Sequence, residues 1–250
     1  MSTPLPLRPR SATEIVDAAF QLYRRDPMSY LLVSALCYAP ILVLQLVISG
    51  PTPEITPETL NTFRLSTSMI VVGLGYWISL ALMSAVIVRL CSEDYFGRRL
   101  EPAVAVRDAV RRLPAVMIGF LFRYLLMIIG FLFFIVGLFY VVARYFAVTP
   151  CIVLEGRGLF AAFGRSAVLS RGVKMHILFT LLLAFLIFFV IYFAITILAA
   201  ITGSPVIATV LTVVASIVSY PLFAITEMLL YYDARVRNEG YDIEMMAEGL

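Results

Sequence analysis

His176 is the one histidine in 250 residues. A catalytic or metal-binding imidazole needs partner ligands or a nucleophile to act on, and its sequence neighbourhood supplies neither. Beside Lys174, at the mouth of an apolar run, it reads as a side chain that snorkels to a membrane interface. Cys37, Cys91 and Cys151 are odd in number, widely separated and free of CxxC spacing. They read as small apolar packing residues, with no disulfide framework or thiolate metal site. The chain carries no Gly-rich phosphate loop and no nucleophile–base pair. The expectation is therefore no enzyme activity, with no catalytic residue, no metal ligand and no cofactor.

The residues that could still do chemistry are charges inside apolar runs. Arg123, Arg144 and Glu227 fall within segments that read as membrane spans, where an ionised side chain is costly unless paired, hydrated or snorkelling. If the chain turns near Gly137, Arg123 and Arg144 lie on adjacent helices at heights differing by roughly 10 Å. They could then line one polar cavity, and two guanidiniums facing one carboxylate would suit a lipid phosphate or another anion. The alternative is structural: Arg144 pairs with Glu227, while Arg123 bonds carbonyls or snorkels. Pro150 and Pro221 interrupt the same two spans as Arg144 and Glu227, and such kinks free backbone carbonyls.

Positioning those charges is the task of the apolar runs. Apolar residues make up 62% of the chain and charged residues 14%, against roughly a quarter charged in soluble domains. Lipid must solvate much of such a surface. Runs long enough to cross a bilayer are expected at about 28–49, 65–90, 114–136, 138–154, 175–201 and 206–231, with a tail over 232–250. Fifteen of the nineteen Lys and Arg residues fall in segments 1–27, 91–113 and 155–174 and in the tail, all on one side of that threading. The loop from Gly50 to Thr62, the turn near Gly137 and the turn from Thr202 to Pro205 contain none. Basic flanks stay cytoplasmic, so both termini are expected in the cytoplasm, with no cleavable signal peptide. A net charge of +3, carried by membrane-flanking segments, gives no reason to expect nucleic-acid binding.

Three amphipathic stretches, at about 11–25, 102–112 and 159–170, precede spans one, three and five and are expected to lie on the interface. Ser11 and Glu14 have capping-box spacing, Pro102 suits a first helical turn, and Arg24-Arg25-Asp26-Pro27 echoes Arg111-Arg112-Leu113-Pro114. The expected fold is all-α and polytopic: three two-span hairpins, each preceded by a cytoplasmic interfacial helix, as parallel repeats. In the tail, Asp233–Arg237 and Arg235–Glu239 have helical pair spacing. Asn238-Glu239-Gly240 reads as a helix stop. Asp242, Glu244 and Glu248 could dock on the basic helices.

Three segments carry a resemblance: Gly164-Arg165-Ser166-Ala167-Val168-Leu169-Ser170-Arg171-Gly172, the closing stretch from Tyr231-Tyr232-Asp233-Ala234-Arg235 to Glu244, and Leu7-Arg8-Pro9-Arg10 leading into Ala19–Arg25. Together they resemble a bacterial integral membrane family, the membrane domain associated with glycerophosphodiester phosphodiesterases and its stand-alone relatives. The resemblance implies a bacterial cytoplasmic (inner) membrane protein and no phosphodiesterase activity, since that reaction belongs to a separate soluble barrel. The function expected first is a non-catalytic scaffold or anchor linked to lipid or envelope metabolism, with membrane lipids and an envelope or lipid-metabolic protein as partners. The alternative is a carrier or flippase for an anionic lipid or small molecule, working through Arg123, Arg144 and Glu227.

Overall fold

The computed structural model describes residues 7–48, 67–241 and 243. The loop from Gly50 to Thr62, the first residues of the second expected span, and Asp242, Glu244 and Glu248 lie outside the described residues. Nine α-helices and no strand occur among those described: α1 Ala12–Arg25, α2 Pro27–Ile48, α3 Thr67–Tyr95, α4 Pro102–Leu132, α5 Phe134–Arg144, α6 Val148–Val153, α7 Leu159–Leu169, α8 Lys174–Ile201 and α9 Pro205–Glu239. Six stretches are long and apolar enough to cross a membrane, with α5 and α6 together forming the fourth. The chain is an all-α, multi-pass membrane protein. Side chains such as Phe179, Val190, Phe193 and Ile201 stand exposed on the outside of α8, a surface suited to lipid and ill-suited to water.

The spans close into a ring in chain order: α2 packs on α3, α3 on α4, α4 on α5, α5 on α8, α8 on α9 and α9 back on α2. α9 also crosses to α3, and α1 lies against α8 and α9. At 35 residues, α9 runs for about 52 Å at 1.5 Å per residue, well beyond a hydrocarbon core of about 30 Å. Its last turns therefore emerge among α1 and α7, at what we call the basic end. Gly240, at φ 64°, ends the helix in the left-handed conformation that costs glycine least, its N–H bonded to the Val236 carbonyl.

Ser11 and Glu14 form the capping box at the start of α1: the hydroxyl accepts from the Glu14 N–H, and the carboxylate accepts from the Ser11 N–H. Two expectations need correction. The stretch 102–112 is no separate interfacial helix but the opening turns of α4, which runs unbroken through Pro114 to Leu132. The turn between spans three and four lies at Phe133–Phe134, not near Gly137, which sits inside α5. Phe134 itself takes the positive φ, 66°. The glycines serve close approach instead: a Cβ on Gly130 would lie 2.8 Å from the Gly137 carbonyl oxygen. Neither helix can gain a methyl there without being pushed apart.

The fourth span breaks over residues 145–147. Pro150 has no N–H, and its ring excludes the carbonyl four residues back. The break is repaired from α7: Ser166, fully buried, accepts the Ala147 N–H at 3.0 Å and donates to the Arg144 carbonyl at 3.1 Å.

Candidate functional site

The three intramembrane charges divide between two hollows. Arg123 on α4 and Glu227 on α9 meet across the ring, with Nη1 3.2 Å from Oε1. Glu227 is 4% exposed, so removing either partner would leave an uncompensated charge. The guanidinium also lies over the Phe120 ring, 5.3 Å from its centroid. Around the pair is an open hollow of about 470 Å³ between α4, α5, α8 and α9, within the roughly 300–1,000 Å³ range of ligand pockets. Apart from that pair and Tyr124 its wall is hydrocarbon, including Met127, Phe139, Leu181, Phe185 and Phe223. It exists because α9 packs on α8, α2 and α3 but not closely on α4 or α5. Arg123 Nη1 has Glu227; its other N–H groups have no protein acceptor among the described residues.

Arg144 is elsewhere. Its Nη1 donates to the Tyr140 hydroxyl at 2.8 Å and its Nε to the Tyr145 hydroxyl at 3.3 Å. It faces a wider groove between α4 and α5, lined also by Gly130, Phe133 and Gly137. The expectation of one cavity shared by Arg123 and Arg144 is therefore corrected, as is the alternative pairing of Arg144 with Glu227. Residue counting fixes height along a helix, but not rotation about its axis. Here rotation places the two arginines in separate hollows. The tyrosine partners were not expected, although their signal is local: Tyr140 lies one turn from Arg144 and Tyr145 follows it.

The basic end is wired differently. Asp233, 5% exposed, accepts the Arg10 backbone N–H at 2.7 Å and Arg237 Nε at 2.7 Å, and its Oδ2 lies 3.1 Å from His176 Nε2. His176, expected to snorkel alone, is thus held by a carboxylate on α9. Arg237 also donates to the Arg10 carbonyl at 2.6 Å, closing a two-way clamp on the N-terminal segment. Asn238 donates to the Leu169 carbonyl at 2.7 Å, and Tyr232 shares a hydrogen bond of 2.7 Å with Ser92. The expected Asp233–Arg237 and Arg235–Glu239 pairs are both present.

Glu155 gathers a second cluster. It accepts from Arg157, from Arg165 Nε at 2.9 Å and from the Tyr231 hydroxyl at 2.9 Å, while Arg165 reaches on to Glu239. Burial pushes the Glu155 carboxyl up, but the hydrogen bonds from Arg157, Arg165 and Tyr231 outweigh it and hold the group below the usual carboxylate range. The hydrogen bond to Glu239 leads the interactions that raise the Arg165 guanidinium. The segments singled out by the resemblance are therefore the ones that meet here: Leu7–Arg10, Gly164–Gly172 and Tyr231–Gly240.

Cys37, Cys91 and Cys151 are buried free thiols. Among the described residues, no three His, Cys, Asp or Glu side chains gather closely enough to hold a metal ion. Compared with protein-family models, curated proteins and solved structures, the chain matches none.

Proposed function

We propose that this chain is a non-catalytic multi-pass protein of a bacterial cytoplasmic membrane, basic end in the cytoplasm, that holds or carries a membrane amphiphile in the Arg123–Glu227 hollow. The observation that carries the reading is a hydrocarbon-walled space with one charged pair at its polar point and guanidinium donors left over. An acyl chain would replace the missing helix contacts, and a phosphate, carboxylate or hydroxyl would accept the spare N–H groups. The basic flanks support the orientation through the positive-inside bias. The resemblance to the phosphodiesterase-associated membrane domain supports the bacterial membrane and a link to lipid metabolism. Native mass spectrometry of the purified protein tests the reading. A lipid adduct is expected on the wild type and on Arg144→Ala, and is expected to be lost from Arg123→Ala. Equal lipid content in all three would contradict it.

The scaffold reading is favoured by a different observation. The basic end is a cross-linked plate rimmed by exposed Arg24, Arg98, Arg99, Arg107 and Arg171, a surface suited to an acidic protein partner. Reversing Arg98 and Arg99 to Glu would release such a partner while leaving the lipid adduct in place.

A further inference from the structure

A third hollow, of about 290 Å³, lies where α3, α4 and the end of α6 meet, far in character from the hydrocarbon one. Arg89, Asp108, Arg111 and Arg112 line it, over an apolar floor of Val153 and Leu154. We propose that it is a binding site for a phosphoryl group.

The arginines are committed to different degrees. Arg112 is fixed, its Nη1 donating to the Ile152 carbonyl at 2.6 Å. Arg89 leans on Glu93, Nη1 to Oε1 2.5 Å, and its Nε stands 3.7 Å from Asp108, beyond hydrogen-bond reach. Arg111 makes no hydrogen bond or ion pair among the described residues, although it lines the hollow. Asp108, Arg111 and Arg112 share one face of α4 by their spacing, yet Arg112 turns to a backbone carbonyl and leaves Asp108 to Arg89.

Three guanidiniums thus face one lining carboxylate, with Glu93 behind Arg89. The excess is positive, which rules against a cation and suits an anion. A phosphoryl group carries about −1.5 to −2 charge and three acceptor oxygens, enough to engage three guanidiniums whose planar forks match it. The apolar floor lowers the local dielectric and strengthens each such bond. The group could be a lipid headgroup or a free phosphate, for this end of α4 is where the third span leaves the apolar region.

The test uses the full chain in detergent and two probes: inorganic phosphate, followed by calorimetry, and vesicles of phosphatidic acid in phosphatidylcholine, followed by the lipid retained after extraction. Arg111 is exposed and unpartnered, so Arg111→Ala should fold normally. It is expected to weaken whichever probe binds by about tenfold or more, the loss of charge-assisted hydrogen bonds. Asp108→Asn, which removes the lining negative charge, is expected to tighten it. A response to phosphate alone assigns a soluble anion, and a response confined to phosphatidic acid assigns a headgroup. The phosphatidic acid arm is run on an Arg123→Ala background, where lipid of the membrane hollow is already lost. The difference made by adding Arg111→Ala then reports this site alone, and failure here is separable from failure of the amphiphile reading. Binding of neither probe, or Arg111→Ala binding as well as wild type, would overturn the proposal.

Discussion

At the basic end, Asp233 has three partners on three different segments and Glu155 another three. In the membrane hollow, one ion pair of 3.2 Å stands against walls of Phe, Leu and Met with open space around it. The two regions use charge for opposite ends. In the first, the Asp233 and Glu155 carboxylates tie chain segments together. In the second, a charge pair holds two helices at a distance, where direct packing would have closed the gap. A bundle whose stability is concentrated at one end can leave space in its middle.

Breaking the hub should produce the largest effect. Asp233→Ala strips a partner from Arg237, His176 and the Arg10 N–H at once, and is expected to cost about 3–5 kcal/mol, as for one side of a buried ion pair. Thermal unfolding in detergent measures it, and a loss under about 1 kcal/mol would mean that the N-terminal clamp is incidental.

Next comes the same insertion made in both regions. Ala234→Phe, at a position 1% exposed, overpacks the plate and should cost about 1–3 kcal/mol. Val142→Phe, pointing into the hollow, should change stability by less than about 1 kcal/mol while sharply reducing lipid retention. Equal costs at the two sites would erase the contrast between them.

How much of this was visible beforehand follows the same division. Apolar runs, the Ser11–Glu14 capping box and the Asp233–Arg237 spacing are local patterns, legible because the partners are a turn apart. The bridge from Arg123 to Glu227 spans 104 residues and depends on helix rotation, which no residue count supplies. The turn at Phe133–Phe134 was missed because it carries no Gly or Pro. The nearby glycines looked like turn residues but serve helix contact. Gly130→Ala sharpens this point: its methyl would meet the Gly137 carbonyl at 2.8 Å, so a loss of about 1–2 kcal/mol is expected. An unchanged melting temperature would mean that the two helices do not approach so closely at Gly130.

The smallest effect is acid sensitivity. A carboxylate whose folded pKa lies below its unfolded value contributes stability that is complete above the unfolded value and is lost as pH falls through the folded one. Glu155 is depressed in this way against its burial, and the hydrogen bonds from Ser11 and Arg8 lower Glu14 from 4.5 to about 2. Acidification from pH 5 toward pH 2 should therefore loosen the basic end around Glu155 and Glu14. Hydrogen exchange as a function of pH reads it. Protection around Tyr231 that stays unchanged down to pH 2 would contradict it.

An experimental density map of the protein in a lipid nanodisc decides most directly whether the hollow is a site. Elongated density is expected to start at Arg123 and Glu227 and run along Phe139 and Phe185. A ring collapsed until α9 packs on α4 and α5, with no density between them, would contradict it.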